Sequence, residues 1–309
     1  MLILYMKVLI FGDRGWIGGM VCKYLEKENI EFVKASCRAN DKKSVEEELL
    51  KVKPTHVMSF IGRTHGVIGE KEYTTIDYLE QKGKILENVR DNLFSPVVLS
   101  LLCKKHDIHF SYLGTGCIFE FDEEHPFGEE VNGFNEQSLP NFFGSSYSTV
   151  KGFTDELMHF FEENTLNLRI RMPITDEVNK RNFITKITTY EKICSIPNSM
   201  TVLDDLIPLL VDMACNKVTG TVNLTNPGLI SHNEMLEMYR EIVDPDFTWK
   251  NFSLEEQAEI LAGGRSNNFL DTSKLESLYP EVRNIKDAVR ETMKRMKEKI
   301  NCKCTSCDC

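Results

Sequence analysis

The sequence predicts a doubly wound α/β fold, in which a parallel sheet carries helices on both of its faces. Short apolar segments alternate with amphipathic helical segments from residue 7 to about residue 172. The first strand runs into a glycine-rich loop, and a helical pattern follows that loop directly. Because a parallel strand needs a crossover connection to its neighbour, alternating strands and helices are typical of a parallel sheet.

The individual elements follow from the spacing of apolar residues along the chain. Those between Trp16 and Leu25 recur at helical spacing, and Pro96 suits the first turn of a later helix. Leu168, Ile170 and Met172 alternate with polar residues, as in a strand. The expected strands cover residues 7–12, 31–36, 56–62, 109–119 and 168–172, and the expected helices cover 16–25, 45–52, 96–106 and 146–162.

Beyond residue 175 the alternation becomes less regular, which predicts a smaller lobe packed over the sheet edge. A late strand is expected at 221–226, and helices are expected at 252–261 and 285–300. Ser231 and Glu234 have the Ser-x-x-Glu spacing of a capping box at the start of a further helix. We therefore expect a larger domain over residues 1–175, a smaller lobe over 176–300 that is interleaved with the sheet, and a cysteine-rich tail over 301–309.

The charge balance of the chain restricts its partners. Its 309 residues include 37 basic and 47 acidic side chains, a formal net charge of −10. A general nucleic-acid-binding protein would present a basic face, so no nucleic-acid partner is expected. Any phosphate group must then be held by local Arg, Lys and backbone N–H groups. No apolar run approaches twenty residues, so no membrane span is expected, and the apolar start is better explained as a buried strand than as a signal peptide.

Ten cysteines are many for a chain of this length. Six are scattered without a pattern, which, together with the lack of a signal peptide, predicts reduced thiols and a cytoplasmic location. The other four lie in the tail 302–309, Cys-Lys-Cys-Thr-Ser-Cys-Asp-Cys. Thiolates could bind zinc there, but a clip with no folded domain around it is poorly preorganised. We therefore expect a disordered tail and no metal site.

Gly12, Gly15 and Gly18 form a GxxGxxG loop between the first strand and the first helix. Glycines allow a tight turn and a close backbone approach, and the N-terminus of the following helix presents N–H groups to a pyrophosphate. Glycine spacing alone is a weak signal, but its position between a strand and a helix predicts a dinucleotide site. The larger domain is therefore expected to be the cofactor domain.

The end of the second strand indicates which dinucleotide binds. An NAD-dependent enzyme tends to place Asp or Glu there, to bind the ribose 2′-hydroxyl. Here the segment reads Lys34-Ala-Ser-Cys-Arg38. Arg38, with Arg14 and Ser36 beside it, would suit a 2′-phosphate. NADPH is therefore favoured, with NADH as the alternative.

Tyr147 and Lys151 have YxxxK spacing on a predicted helix, which places both side chains on one face. A nearby ammonium stabilises a tyrosinate, and so lowers the pKa of a phenol that must exchange a proton near neutral pH. Thr115, near the end of the preceding strand, has a hydroxyl that could bind a substrate carbonyl beside Tyr147. Cys117 follows two residues later, and strand alternation would point it to the same face as Thr115.

These residues belong to a longer set of motifs. The set comprises Gly15-Trp-Ile-Gly-Gly19, Thr115-Gly-Cys-Ile-Phe-Glu120, Tyr147-x-x-x-Lys151, Arg171-Met-Pro-Ile174, Arg181-Asn-Phe-Ile-Thr-Lys186, Ile196-Pro-Asn-Ser-Met200, Thr225-Asn-Pro-Gly228 and Arg265-Ser-Asn-Asn268. With them the chain resembles, to about residue 300, the bifunctional 3,5-epimerase/4-reductases that convert UDP-4-keto-6-deoxyglucose to UDP-rhamnose. These occur as the C-terminal half of plant rhamnose synthases and as separate proteins in giant viruses. The resemblance implies the Rossmann fold of the extended short-chain dehydrogenases/reductases, with a smaller C-terminal α/β substrate lobe.

The resemblance also implies roles for particular residues. In the related GDP-fucose synthases a cysteine in a similar run is an acid/base residue, which implies that role for Cys117, with Lys186 as its partner. Arg265 is expected to bind the nucleotide diphosphate through its fork of donors, with Asn182 and Asn268 also at the substrate. The implied cofactor contacts are Gly12, Arg14, Gly15, Trp16, Ile17, Arg38, Phe60, Ile61, Gly62, Thr115, Tyr147, Lys151 and Pro173.

The predicted reaction is 3,5-epimerisation and NADPH-dependent 4-keto reduction of UDP-4-keto-6-deoxy-D-glucose, which gives UDP-L-rhamnose. Homodimers are common in the family, so a homodimer is expected. Two alternatives stay open, a dTDP-4-dehydrorhamnose reductase without epimerase activity and a non-catalytic regulatory protein of the same fold. The sequence also leaves open the choice between UDP and dTDP, which differ by a ribose hydroxyl and a methyl group.

Overall fold

The computed structural model describes the backbone of residues 6–305 and the side chains of residues 6–302. Its strands are β1 (Lys7–Phe11), β2 (Glu31–Lys34), β3 (His56–Ser59), β4 (Gly66–Ile68), β5 (Lys71–Tyr73), β6 (His109–Thr115), β7 (Thr165–Ile170), β8 (Pro173–Ile174), β9 (Lys192–Ile193), β10 (Thr201–Val202), β11 (Gly220–Asn223) and β12 (Lys250–Asn251).

Its α-helices are α1 (Trp16–Lys27), α2 (Lys42–Val52), α3 (Ile85–Val89), α4 (Ser95–Lys105), α5 (Ser146–His159), α6 (Phe183–Thr189), α7 (Leu203–Cys215), α8 (His232–Ile242), α9 (Leu254–Ile260), α10 (Ser273–Leu278) and α11 (Ile285–Thr305). A single 3₁₀ turn covers Ile76–Tyr78, and the π-helical stretch Arg90–Phe94 joins α3 to α4. None of the helices in the described part of the chain has the length and apolar character needed to cross a membrane.

Six strands form one sheet in the order β11-β7-β6-β3-β1-β2, and every neighbouring pair is parallel. The chain leaves β1 in one direction to reach β2, and then continues with β3 on the other side of β1. The order of strands therefore reverses between β1 and β3, which creates a crevice at the carboxyl ends of these strands. In open α/β sheets this is where ligands bind. The predicted doubly wound fold class is confirmed.

Side chains on each strand point alternately to the two faces of the sheet, and each face packs on its own helices. Val8 and Ile10 lie in a buried cluster with residues of α1 and α7. Leu9 and Phe11, which point the other way, lie in a second cluster with residues of α2, α4 and α5. Burial on both faces explains why the strands read as continuous apolar runs.

The second half of the chain builds a third buried cluster from α6, α8 and α11 with β8 and β10. Both halves of the predicted capping box form at the start of α8, since the Ser231 hydroxyl accepts from the Glu234 N–H and the Glu234 carboxylate accepts from the Ser231 N–H. The chain returns to the main sheet through α7 and β11. The boundaries at residues 175 and 300 stay predictions.

Two expected elements differ in extent from the observed ones. The strand expected over 109–119 ends at Thr115, because the chain turns at Gly116 and the Phe119 N–H points back to the Gly116 carbonyl at 3.4 Å. The argument from strand alternation that placed Cys117 on the face of Thr115 was therefore wrong. The last helix, α11, continues to Thr305 instead of ending at residue 300, so the tail begins as helix; Cys307 and Cys309 lie outside the described residues.

Candidate active site

The glycine loop lies at the crevice between β1 and β3. Gly12 has a φ of +87°, and a Cβ atom there would lie 2.8 Å from the Phe60 carbonyl carbon. A Cβ atom on Gly18 would lie 2.2 Å from the Gly12 carbonyl oxygen. Only glycine at these positions lets the loop pack against both the segment after β3 and the first turn of α1. The close packing brings Phe60, Ile61 and Gly62 to the edge of the same crevice.

The first turn of α1 is suited to an anionic group. Gly15 is the N-cap residue, so no side chain caps the helix, and the first turn contains no acidic residue. Unengaged N–H groups at a helix N-terminus attract phosphate oxygens, because they are donors and lie at the positive end of the helix dipole. Trp16 and Ile17 form this first turn. The residues present therefore fit the pyrophosphate of a dinucleotide.

Two exposed arginines flank the loop. Arg14 and Arg38 make no ion pair with any residue in the described ranges, so both guanidinium groups are available to a phosphate. Ser36 differs from expectation, because its hydroxyl donates to Glu48 Oε1 at 2.8 Å. Glu48 also accepts from the backbone N–H of Ser36 at 2.7 Å and from that of Cys37 at 3.1 Å. Glu48 therefore fixes the loop after β2, which carries Arg38, without pairing with that arginine.

Tyr147 lies in the first turn of α5, whose N-cap Ser145 accepts from the Ser148 N–H. Contrary to the expected lowering by Lys151, burial raises the pKa of Tyr147 well above its ordinary value. A negative charge on Cys117 raises it further, and a hydrogen bond with the Thr115 side chain lowers it in part. The Thr115 hydroxyl itself donates to the Ile170 carbonyl at 3.3 Å and accepts from the Cys117 N–H at 3.1 Å. Thr115, Cys117 and Tyr147 are thus brought to one place.

Lys151 lies one turn further along α5 and is almost fully buried. Burial lowers its pKa to about 8, against the opposing effects of Asp155 and Cys117. Its ammonium donates to the Tyr112 hydroxyl, and to the Leu113 carbonyl at 3.3 Å. It also lies 4.5 Å from the centre of the Tyr112 ring. Sequence reasoning missed Tyr112, because its spacing of three from Thr115 on the same strand would point the two side chains to opposite faces.

Lys186 lies on α6, outside the elements that carry Thr115, Cys117 and Tyr147. Burial lowers its pKa, the charges of Arg265 and Arg181 lower it further, and a negative charge on Cys117 opposes these effects. The thiol of Cys117 and the ammonium of Lys186 are therefore close enough to act on each other electrostatically. Two groups that can exchange protons approach the same space from different elements.

The structure gives Asn182 and Asn268 supporting positions. Both side chains are fully buried. Asn182 caps α6 and donates to the carbonyls of Thr175 and Glu177, each at 2.7 Å. Asn268 donates to the carbonyl of Gly116 at 2.8 Å and to that of Phe119 at 2.9 Å, and so shapes the turn that carries Cys117. Neither amide presents a donor to a substrate, contrary to expectation.

Arg265 is fixed from two sides. Its Nη2 atom donates to Asp77 Oδ2 at 2.5 Å, and its Nη1 atom donates to the Gly263 carbonyl at 2.7 Å. Burial would raise the pKa of Asp77, but hydrogen bonds from Thr75 and Arg265 lower it overall, so the carboxylate is charged and holds the arginine. Sequence reasoning missed Asp77, which lies in the 3₁₀ turn.

A second arginine faces Lys186 from the start of α6. Arg181 Nη2 lies 2.8 Å from His65 Nε2, in the segment after β3. Burial lowers the pKa of His65, and the charges of Arg181 and Arg63 lower it further, so the ring is neutral and accepts from the arginine. Arg181, Lys186 and Arg265 together form a cationic wall in a chain whose net charge is −10.

Comparison with known proteins places the chain among sugar-nucleotide enzymes. The crystal structure of a UDP-rhamnose synthase from Acanthamoeba polyphaga mimivirus is 58% identical, covers 94% of this chain and 99% of that chain, and superposes with a TM-score of 0.90. A bifunctional dTDP-4-dehydrorhamnose 3,5-epimerase/dTDP-4-dehydrorhamnose reductase of Arabidopsis thaliana is 44% identical over 91% of this chain and 90% of its own length.

A third relative is longer than this chain. It is a trifunctional UDP-glucose 4,6-dehydratase/UDP-4-keto-6-deoxy-D-glucose 3,5-epimerase/UDP-4-keto-L-rhamnose-reductase of Arabidopsis thaliana, 43% identical over 92% of this chain but only 41% of its own length. The chain thus corresponds to less than half of that protein. No model of a protein family matches the chain.

Proposed function

Since the chain belongs to the family of UDP-rhamnose synthases and related nucleotide-sugar 3,5-epimerase/4-reductases, we propose that it epimerises UDP-4-keto-6-deoxy-D-glucose at C3 and C5 and reduces the C4 ketone, giving UDP-L-rhamnose. One observation carries this proposal most directly. The Thr115 hydroxyl accepts from the Cys117 N–H at 3.1 Å and hydrogen-bonds with Tyr147, and a negative charge on Cys117 raises the pKa of both Lys151 and Lys186. Reduction needs Tyr147 and Lys151, and epimerisation needs Cys117 and Lys186.

We propose NADPH as the cofactor, which when bound supplies the hydride to C4. Gly12 and Gly15 would leave room for its pyrophosphate at the N-terminus of α1, and Arg14 and Arg38 would bind the 2′-phosphate. The remaining contacts of the proposed cofactor site come from Trp16, Ile17, Phe60, Ile61, Gly62, Thr115, Tyr147, Lys151 and Pro173.

Epimerisation depends on polarising the C4 ketone. A ketone acidifies the hydrogens on its two neighbouring carbons, and inversion of each carbon needs a base on one face and an acid on the other. Cys117 and Lys186 are the proposed pair. Thr115 and Tyr147 would stabilise the enolate oxygen that forms when a proton leaves. Arg265, held by Asp77, would bind the diphosphate and so orient the sugar.

Reduction uses the same polarised carbonyl. As the C4 oxygen gains negative charge, Tyr147 donates its proton to that oxygen. The ammonium of Lys151 stabilises the resulting tyrosinate, because opposite charges in a buried site interact strongly. One site can therefore run both reactions.

Separating the two half-reactions tests this assignment. Cys117→Ala and Lys186→Ala should each slow deuterium uptake from heavy water at C3 and C5 by at least about a hundredfold, the lower range for general acid–base catalysis. Both variants should still reduce the epimerised 4-keto sugar. Cys215→Ala, which alters a free, partly buried cysteine at the end of α7, serves as the control. Normal deuterium uptake in both site variants would contradict the assignment.

The relatives favour different nucleotides, so the nucleotide needs its own comparison. One is named for dTDP sugars and two for UDP sugars. We propose UDP, and NADPH oxidation measured with the UDP and dTDP forms of the 4-keto sugar decides between them. Lack of oxidation with either form would favour the regulatory alternative, although a regulatory protein would have no need of Tyr147, Lys151 and Cys117.

We further propose that the protein acts in the cytoplasm as a homodimer. Free thiols such as Cys22 and Cys103 are compatible with a reducing compartment. For the dimer, we propose a surface along α3, the π-helical stretch, α4, α5 and the residue after α5, where large apolar side chains are exposed. These side chains are Leu86, Phe94, Leu101, Phe153 and Phe160.

A further inference from the structure

Arg171 is a buried cation without a carboxylate partner. Its side chain is 1% exposed, similar to that of Arg169, which is 0% exposed. Arg169 is neutralised by Asp155, whose Oδ2 atom lies 2.5 Å from its Nη2. Arg171 makes no ion pair with any residue that the structure describes, and its Nε atom has no hydrogen-bond partner there. Because buried charges are normally paired, this isolated guanidinium requires an explanation.

The hydrogen bonds of Arg171 all go to neutral acceptors near the turn that carries Cys117. Nη1 donates to the Gly116 carbonyl at 2.9 Å and to Ser266 Oγ at 2.8 Å. Nη2 donates to Asn198 Oδ1 at 2.7 Å and to the Ser266 carbonyl at 3.0 Å. A Cβ atom on Gly116 would lie 3.1 Å from Cγ and Cδ of Arg171, so the arginine stem packs directly against the residue before Cys117.

The charged and titratable groups that interact with Cys117 come from three elements. Tyr147 and Lys151 lie on α5, Lys186 lies on α6, and Arg171 follows β7. Arg171 is permanently charged, because a guanidinium does not lose its proton in proteins. The anion that this fixed charge can stabilise is the thiolate of Cys117.

We propose that Arg171 is a positioning residue that stabilises Cys117 as a thiolate, so that Cys117 is the base and Lys186 the acid of the epimerisation. The thiolate takes the proton at C3 or C5, an S–H bond forms, and the electrons of the C–H bond move into the enolate. Lys186 returns a proton to the opposite face, and exchange with solvent restores both groups. This division of roles rests on the proposed function, whereas stabilisation of the thiolate does not.

Alkylation of Cys117 tests the proposal in the resting protein without turnover. Iodoacetamide reacts with thiolates, and mass spectrometry of the peptide containing Cys117 gives its reaction rate at each pH. In Asn198→Asp a carboxylate replaces the neutral acceptor of Arg171 and neutralises its charge in place. We expect the pH midpoint of alkylation to rise by at least about one unit, since an opposite charge nearby typically shifts a titration by about 1–3 units.

Two further comparisons separate charge from packing. Ser266→Ala removes a hydrogen bond of Arg171 but keeps its charge, so the midpoint should stay within about 0.3 units of the wild type, a small fraction of the shift that a lost charge partner produces. Arg171→Met should raise the midpoint, and Arg171→Lys should restore it. If Arg171→Met does not fold, Asn198→Asp still decides the matter. A midpoint in Asn198→Asp equal to that of the wild type overturns the proposal.

The alkylation result and the proposed reaction can fail separately. The rate of deuterium uptake at the sugar should rise with pH, with the same pH midpoint as alkylation. In Asn198→Asp both midpoints should rise by the same amount. A raised alkylation midpoint in a protein that takes up no deuterium into either nucleotide sugar would retain the thiolate and reject the epimerase function. Deuterium uptake that is independent of the alkylation midpoint would overturn the assignment of Cys117 as the base.

Discussion

At the scale of single residues, the site depends on side chains that never meet a substrate. Tyr112 accepts from Lys151, Asp77 holds Arg265, and Glu48 fixes the loop that carries Arg38. Each supports a residue whose type and spacing could be recognised in the sequence. The supports themselves have no motif, because they come from distant positions and act through packing. They become visible only when the chain is folded.

Burial of Lys151 lowers its pKa, so the proposed reduction should depend on pH, and Tyr112, which accepts from the ammonium, should modify that dependence. The pKa of Lys151 is lowered to about 8, so its ammonium is charged below that pH and neutral above it. Because the charged form stabilises the tyrosinate, the reduction rate should fall as the pH rises through about 8. Tyr112→Phe removes an acceptor from the ammonium and disfavours the charged form, so the fall should begin at a lower pH.

The pH dependence of kcat for reduction of the epimerised 4-keto sugar checks this expectation. Tyr279→Phe is a matched control, since its hydroxyl contacts Asp212 at 2.7 Å, outside the site. Identical pH profiles for Tyr112→Phe and the wild type would show that the phenol plays no part in setting the charge of Lys151.

Arg38 should decide between NADPH and NADH. Its guanidinium makes no ion pair within the described residues, and the 2′-phosphate is the group that distinguishes the two cofactors. Arg38→Ala should lower kcat/KM for NADPH by about tenfold to a hundredfold, equivalent to losing a charged hydrogen bond of about 1.5–3 kcal/mol. The value for NADH should change little. Steady-state kinetics with both cofactors measures this, and an equal loss with both would place Arg38 away from the 2′-phosphate.

At the scale of elements, some glycines in and after the glycine loop cannot be replaced by a residue with a Cβ atom, whereas others can. Gly12→Ala puts a side chain at a φ of +87° and 2.8 Å from Phe60, so it should destabilise the fold by at least about 1–2 kcal/mol and abolish NADPH binding. Gly19, on α1, would place a Cβ atom 3.5 Å from the Asp13 carbonyl, an ordinary contact. Gly19→Ala should therefore stabilise the helix by about 0.5–1 kcal/mol.

Urea unfolding and the quenching or transfer of NADPH fluorescence measure the two effects. If Gly12→Ala and Gly19→Ala had the same free energy of unfolding and the same NADPH binding, the close approach of Gly12 to Phe60 would not require a glycine.

Local patterns were sufficient for the six strands of the main sheet and for α8, α9 and α11, but not for α7. The periodicity from Trp16 to Leu25 and the capping box at Ser231 lead directly to α1 and α8. Helix α7 was missed because Pro208 lies inside it and normally interrupts a helix. Here the apolar residues of α7 are buried on the sheet, and this packing outweighs the local preference.

The turn at Gly116 shows the same limit at the site itself. The apolar run from His109 to Phe119 predicts one long strand, but Arg171 and Asn268 hold the Gly116 carbonyl and divert the chain. Those two donors are 55 and 152 residues away in sequence. No local pattern contains that information, so the residue type of Cys117 could be recognised while its placement could not.

At the scale of the whole molecule, a buried ion pair joins α5, the helix of Tyr147 and Lys151, to the sheet. Asp155 on α5 accepts from Arg169 on β7, and Arg169 also donates to the Asn135 carbonyl at 2.9 Å. Asp155→Asn leaves Arg169 buried and uncompensated, so we expect the free energy of unfolding to fall by about 3–5 kcal/mol. Glu241→Gln, which breaks an exposed pair with Arg290, should change it by less than about 1 kcal/mol.

Chemical denaturation of both variants at pH 7 provides the comparison. A loss in Asp155→Asn no larger than that in Glu241→Gln would mean that water reaches the pair and compensates the arginine.

The π-helical stretch Arg90–Phe94 connects two parts of the proposed site, the segment after β3 and the helix α5. A wide turn in a helix leaves backbone carbonyls free, and here the Asn92 carbonyl accepts from the Thr154 hydroxyl of α5 at 2.7 Å. The Asn92 side chain meanwhile binds the N–H of Arg63 at 2.9 Å and its carbonyl at 2.9 Å, just beyond β3. Asn92 thus links the segment after β3, beside the proposed cofactor site, to the helix that carries Tyr147. Deleting one residue to restore a regular helix would rotate the residues after it by about 100° about the helix axis. The hydrogen bonds of Asn92 to Arg63 and to Thr154 could then not both form.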